Sequence, residues 1–378
     1  YGDPKHEMME DEDVVLIKSD VHKTVTFGPY NDDEKMIEIE LTKRSKETKK
    51  LLNDAVYEIY DEDHDVVATL TTGTDGDGKA SCYLPYGKYT IKETVAPAGY
   101  NMDDAEEKAF ELSAESTSVK ITYDNAGNGT YKFEQTDSPV PGQISLSKKG
   151  EVLSDYDKEA QSFVYENDKV TGAVYGLYAD EDIKKDDGSI VWKKDTLIDQ
   201  KTTTKDDEIY FTRTGDDGTE TRNFYLGKYY VKEEVRKPGY LPNEEIWEMD
   251  ASYTDQNLAE IKLTKEVENQ PTESQFTKTD ATTGEELEGA KLQIIDQDGN
   301  IVEEWISTKE PHVVYGLPEG TYILHEELPP YAEGYVSAED IEFEVKEDGS
   351  VTKVEMKDGY SKVEISKTDI TTGKELKG

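Results

Sequence analysis

Repetition constrains this chain more than any other feature. A strand-like run ending in Lys occurs four times: IEIELTKRS with Lys43, QISLSKKG with Lys148, SQFTKTD with Lys278 and KVEISKTD with Lys367. After the first three, a small residue opens a second run, at Ala55, Ala173 and Ala290. A third run follows as GKYTIKETVAPAGY, GKYYVKEEVRKPGY and GTYILHEELPPYAEGY, each with a Glu six residues after its first Gly: Glu93, Glu233 and Glu326. Each unit then closes on Asp137, Asn269 or Asp358, just before the next Lys run. Self-similarity of this kind sets the architecture before any single motif does, because every copy has to bury its own apolar face.

The repeats divide the chain into a first unit at 1–140, in which 1–13 reads as leader or linker, a second at 141–271 and a third at 272–360. Residues 361–378 read as the first strand of a truncated fourth repeat, which predicts a fragment of a longer protein and leaves Lys367 without partners. The stretch from Asp13 to Tyr30 has strand character but none of the repeat's landmarks. Inside each unit, short alternating runs are separated by turn signals such as Asp75-Gly-Asp-Gly78 and Asp298-Gly-Asn300, and no 3.6-period stripe occurs. The predicted class is all-β, as antiparallel β-sandwiches. Unit two is enlarged: Lys148 and Glu233 are 85 positions apart, against 48 for Lys278 and Glu326. Its Lys184–Asp187 and Thr202–Asp207 segments are expected as exposed loops.

Composition then excludes whole classes of function. A formal charge of −42 repels nucleic acid and anionic membrane surfaces, since each phosphate contact needs a cation. One cysteine forbids an internal disulfide, and five scattered histidines give no metal centre, so neither metal nor cofactor is expected. No apolar run approaches the roughly 18 residues of a membrane span. With 34% apolar residues the chain has three small cores and nothing obvious to staple them.

Period-2 alternation places the polar landmarks. Ile37, Ile39, Leu41 and Lys43 share a face, as do Ile144, Leu146 and Lys148, then Phe276 and Lys278, and Val363, Ile365 and Lys367. Tyr89, Ile91 and Glu93 behave likewise, as do Tyr229, Val231 and Glu233, and Tyr322, Leu324 and Glu326. The closing runs place Asp137, Asn269 and Asp358 on the apolar face too. Three polar groups per unit therefore point inward. Burial lowers a Lys pKa and raises that of a carboxylic acid, by up to about 3–5 units. An uncharged amine beside a protonated carboxyl or a carboxamide is the starting point for amide formation.

The strings IELTKRS, GKYTIKETVAPAGY, GAVYGLYADEDI, FTKTDATTGEELEGA and VEMKDGYSKVEISKTD resemble the B-type repeats of collagen-adhesin proteins and the related SpaA-type pilin domains of Gram-positive bacteria. The resemblance covers nearly the whole chain. It implies three immunoglobulin-like or prealbumin-like sandwiches in an elongated rod, each closed by a self-catalysed Lys–Asp or Lys–Asn isopeptide bond with a buried Glu as proton shuttle. Carried onto this sequence, the bonds are Lys43–Asp137 with Glu93, Lys148–Asn269 with Glu233, and Lys278–Asp358 with Glu326. Asn125 is a second candidate acceptor in unit one, because Val119, Ile121, Tyr123 and Asn125 also alternate; Asp137 is preferred for its place before the next Lys run.

The function expected from the resemblance is structural. The chain would be a stalk segment of an extracellular, cell-wall-anchored adhesin or pilin-like protein, partnered by flanking domains of its own polypeptide. It is not expected to be an enzyme beyond one self-crosslinking turnover per unit. The competing expectation is a module in which loops of unit two bind a host extracellular-matrix protein or glycan, for which exposed Trp192 or Tyr210 would speak. Cys82 reads as a strand residue rather than a thioester cysteine, and the acidic turns at Asp61–Asp65 and Asp180–Asp182 as solvated hairpin tips rather than calcium sites.

Overall fold

The structure, a computed structural model, describes residues 35–377 apart from 74–75, 103–105, 115, 117–118, 158–161, 207, 255–257, 331–333 and 363. The Asp13–Tyr30 stretch and Val363 lie outside the described residues. Alternation builds the strands as expected. In Met36–Ser45, Ile37, Ile39, Leu41 and Lys43 are buried while Glu38 and Glu40 reach toward solvent. All named elements among the described residues are strands, and no helix is long and apolar enough to cross a membrane.

The strands form three pairs of facing sheets. In unit one, Lys79–Pro85, Met36–Ser45 and Gly129–Pro139 lie side by side, opposite a sheet ordered Val66–Thr71, Val56–Tyr60, Gly87–Val95, Lys108–Leu112. Unit three repeats this plan with His312–Tyr315, Glu273–Asp280 and Thr352–Tyr360 opposite Ile301–Ile306, Lys291–Ile295, Gly320–Leu328 and Ile341–Val345. Unit two does so around Gly142–Asp157 and Ile261–Glu268, opposite Leu197–Thr202, Val174–Ala179, Lys228–Val235 and Ile246–Asp250. Each pair encloses its own core: Tyr57, Ile59 and Ile91; Tyr175, Leu177 and Tyr229; Phe276, Ile294 and Leu324. A fully buried large apolar side chain contributes about 1.5–3 kcal/mol, whereas fixing each residue's backbone costs about 1–2 kcal/mol. Cores this small leave little margin.

One pairing departs from the all-antiparallel expectation. The first and last strands of every unit are parallel neighbours: Met36–Ser45 with Gly129–Pro139, Gly142–Asp157 with Ile261–Glu268, and Glu273–Asp280 with Thr352–Tyr360. Parallel neighbours cannot be joined by a hairpin, so everything else in the unit is the connection between them.

The enlarged part of unit two meets the exposed-loop expectation only in part: Lys184, Asp187, Thr202 and Thr204–Asp206 are exposed, but three residues between them are not. Lys185 and Asp186 are half-buried against unit one: Tyr100 donates its hydroxyl to Asp186 Oδ2 at 2.8 Å, and Lys50 Nζ donates to the Asp186 carbonyl at 2.7 Å. Thr203 is buried, exchanging backbone hydrogen bonds with Gly172 and Ala173. Left in solvent, the insertion would expose Ile183, which instead joins the core of its own unit at 1% exposure. Trp192 is half-buried against the Phe224 and Tyr225 rings, and Tyr210 lies under the Arg222 guanidinium at 4.1 Å.

Candidate functional site

The parallel first-to-last register gives all three units the same local geometry. Lys43 sits opposite Gln135, Lys148 opposite Val267 and Lys278 opposite Met356. Asp137, Asn269 and Asp358 each lie two residues further along, hence on the same face. Such diagonal neighbours are about 7–8 Å apart or less, a gap that a lysine side chain closes. The Glu comes from the facing sheet, where Glu93, Glu233 and Glu326 pair with Tyr57, Tyr175 and Leu292.

In unit one, Lys43 Nζ lies 2.8 Å from Glu93 Oε2 and 2.7 Å from Asp137 Oδ1, with all three side chains fully buried. It also donates to the Tyr57 hydroxyl at 2.8 Å. In unit three, Lys278 Nζ is 2.8 Å from Glu326 Oε1 and hydrogen-bonds Asp358 Oδ1. In unit two, Lys148 Nζ donates to Glu233 Oε1 at 2.6 Å, and the Asn269 carboxamide donates to both Glu233 oxygens at 3.1 and 3.0 Å. Lys148 and Asn269 thus meet on one carboxylate.

Electrostatics follow from this burial. One ammonium and two carboxylates out of water carry an unbalanced negative charge, and the low-dielectric site relieves it by holding a proton. Desolvation outweighs the pull of Lys43 and pushes Glu93 up to about 7. In unit three, desolvation raises Asp358 against the opposing pull of Lys278. In unit two, where the neutral Asn269 stands in place of the Asp, desolvation lowers Lys148 against the pull of Glu233.

Several participants escape sequence reasoning. Tyr57 and Tyr175 hydrogen-bond the site, at 2.8 Å to Lys43 and 3.2 Å to Glu233, while Leu292 fills the same slot in unit three. Their signal was available: each lies two residues after the buried Ala55, Ala173 or Ala290. Asn243, whose Nδ2 donates to Asn269 Oδ1 at 3.3 Å, and the Ala338 N–H, which donates to Glu326 Oε2 at 2.7 Å, sit in irregular segments where alternation says nothing.

The remaining candidates separate cleanly. Asn125 is exposed in a turn, whereas Asp137 is buried beside Lys43. Lys367 is exposed, and Ile365 beside it is 90% exposed. Cys82 is a half-buried strand residue opposite Ile39, its thiol pushed up to about 11 by burial. Asp61 accepts the N–H groups of Asp63 and Asp65 at 3.0 and 2.9 Å, as capped turns do, and Asp182 accepts the Lys194 N–H at 3.0 Å, twelve residues along the chain. Among the described residues no group of three or more His, Cys, Asp or Glu is placed to hold a metal.

The profile of the SpaA prealbumin-like fold domain matches residues 37–139 and 272–360, just over half of the chain. No curated protein matches. Among solved structures, the Bacillus anthracis TIE protein is 24% identical over 87% of this chain, with a TM-score of 0.49; the match spans 52% of that protein's chain, about half its length. BcpA, the major pilin subunit of Bacillus cereus, is 18% identical over 86% of this chain and all of its own, at a TM-score of 0.41. The shaft pilin SpaA from Lactobacillus rhamnosus GG is 15% identical over 60% of this chain and all of its own, at 0.29. With two of its three repeats matched and the fold they specify in place, the chain belongs to the family of SpaA prealbumin-like fold domains.

Proposed function

We propose that the chain is a stalk segment of a pilin-like or adhesin-type surface protein, extracellular and anchored to a Gram-positive cell wall through parts beyond this sequence. Its three units, 1–140, 141–271 and 272–360, are separate domains, each closed by an isopeptide bond: Lys43–Asp137, Lys148–Asn269 and Lys278–Asp358. One observation carries the reading: three times over, a buried Lys meets a Glu from the facing sheet, with an Asp or Asn two residues beyond its register partner on the last strand. Its partners are the flanking domains of the same polypeptide, which pass tension from one clamped unit to the next.

The chemistry balances within each site. Neutral Lys Nζ attacks the acceptor's side-chain carbonyl carbon, forming the C–N bond while the carbonyl π pair moves onto oxygen. The Glu takes a proton from Nζ and returns it to the leaving group, as a general base and then a general acid. The C–O bond of an Asp carboxyl, or the C–Nδ2 bond of Asn269, then breaks with its electron pair on the departing atom, releasing water or ammonia. The fold holds the partners in contact, which supplies much of the rate. Each site reacts once.

Host binding through the loops of unit two is the other reading, and its expected markers do not favour it, since Trp192 and Tyr210 are packed rather than exposed. The test is intact-mass spectrometry of the full chain. Loss of two waters and one ammonia makes it about 53 Da lighter than its sequence. An unshifted mass would sink the crosslinking reading.

A further inference from the structure

Unit two differs from its neighbours in its acceptor, and the difference asks more of the site. An amide carbonyl is a poorer electrophile than a protonated carboxyl, so an Asn acceptor needs help where charge builds on its oxygen. The orientation of Asn269 is fixed by its partners. Its NH₂ faces both oxygens of Glu233, at 3.1 and 3.0 Å, and only a donor can face a carboxylate twice. The carbonyl oxygen Oδ1 therefore points the other way, to Asn243 Nδ2 at 3.3 Å. Asn243 is oriented independently, because its own Oδ1 accepts the Glu245 N–H at 3.0 Å, which turns its NH₂ toward Asn269. The loop is anchored just upstream by Tyr240, 2% exposed and with its ring 5.9 Å from Lys148 Nζ.

From this arrangement we infer that Asn243 is a catalytic residue of unit two, the donor that stabilises the oxyanion formed on Asn269 Oδ1 when Lys148 attacks. The inference rests on the Lys148–Asn269 bond proposed above. As Nζ bonds to Cγ, the carbonyl π pair moves onto Oδ1, where the Asn243 N–H holds it. Glu233 passes the Nζ proton to Nδ2, the pair returns from Oδ1, and the C–Nδ2 bond breaks to release ammonia. Donors aimed at a developing oxyanion act most strongly in the transition state, when the ground-state contact shortens. In unit three, with an Asp acceptor, Ala338 lies four residues after Gly334, as Asn243 lies four after Gly239, and its backbone N–H goes to Glu326 instead.

The experiment follows bond formation in freshly synthesised full-length chain, quenched with acid at intervals and digested, with the Lys148–Asn269 peptide quantified by mass. Asn243→Asp keeps the oxygen that accepts the Glu245 N–H but has no NH₂, and it is expected to slow this bond by about 10²–10³-fold. The Lys43–Asp137 and Lys278–Asp358 peptides serve as internal clocks and should form at the wild-type rate. A wild-type rate for the Lys148–Asn269 bond in Asn243→Asp overturns the oxyanion role and leaves the crosslink standing. Absence of that bond from the wild-type chain overturns the underlying reading, and this inference with it. Should near-UV circular dichroism show that Asn243→Asp unfolds unit two, the Lys148→Met chain, which cannot react, answers instead. Its Asn243 side-chain amide is expected to be protected from hydrogen exchange by Asn269, and an unprotected amide overturns the inference.

Discussion

Proton counting sets the pH dependence at the level of residues. With an Asp acceptor, Lys⁰ with Glu⁻ and a protonated Asp has the same proton count as Lys⁺ with Glu⁻ and Asp⁻, so water can leave without a proton from outside. With Asn269 the count is likewise unchanged between Lys⁺ with Glu⁻ and Lys⁰ with GluH. In unit one burial keeps a further proton on Glu93 up to about pH 7, and Glu93 must lose it before it can take one from Nζ. Bond formation in unit one should therefore rise about tenfold per pH unit up to roughly pH 7 and level off above it. Time-resolved peptide mapping between pH 5 and 9 follows the Lys43–Asp137 peptide, and a rate that falls between pH 5 and pH 7 would contradict the base role of Glu93. The shuttle has its own check: Glu326→Gln should leave unit three folded but unlinked, whereas a Lys278–Asp358 crosslink in its tryptic digest would show that Glu326 does not carry the proton.

Among elements, the decisive pairing is first strand to last. The bond proposed there would close a loop over the 80 positions from Lys278 to Asp358, and the chain-entropy model developed for disulfides gives about 4–5 kcal/mol for such a loop. Lys278→Met, apolar and of similar length, removes the bond without leaving an unpaired cation. Calorimetry should then show unit three melting roughly 20–30 °C lower, and an unchanged transition would mean that the crosslink adds no thermal stability. Much of this element structure was legible in the sequence. Alternation alone placed Lys43, Glu93 and Asp137 on inward faces, because a strand's side-chain period is fixed by its backbone. What it could not supply was which strands become neighbours. Parallel pairing is a long-range outcome, and with it came the two-residue offset that brings Asp137 rather than Asn125 to Lys43. Asn243 was hidden for a related reason: its position comes from an Asx turn in an aperiodic loop. The Lys184–Asp187 segment looked like a solvated loop because composition does not show that Tyr100 and Lys50 of another unit wait for it.

In the whole molecule the repeated glycine-tyrosine loop recurs at the joints between units. The carbonyl of Gly99 accepts the Val140 N–H at 2.8 Å, that of Gly239 the Thr272 N–H at 2.9 Å and that of Gly334 the Ser361 N–H at 3.2 Å. In every case the donor lies three residues beyond Asp137, Asn269 or Asp358, so the loop grips the chain where one unit hands over to the next. Between units two and three the grip is tight. Arg236 pairs with the nearly buried Glu347, whose Oε1 also accepts the Gly239 N–H at 2.6 Å. Gly239 has a φ of +87°, and a Cβ there would sit 2.1 Å from the Gly316 carbonyl oxygen. Neither the backbone angle nor the space admits a side chain. The proposed stalk would transmit force best with stiff joints, and these contacts lie outside the three Lys–Glu–Asp or Lys–Glu–Asn clusters. Gly239→Val should therefore leave all three isopeptide peptides and each unit's own fold intact while freeing the hinge between units two and three. Small-angle scattering would register this as a broader distribution of overall dimensions than the wild-type chain shows. An unchanged distribution would place the stiffness of that joint elsewhere, in the packing of Tyr165 against Glu303 and Tyr315 across the same boundary.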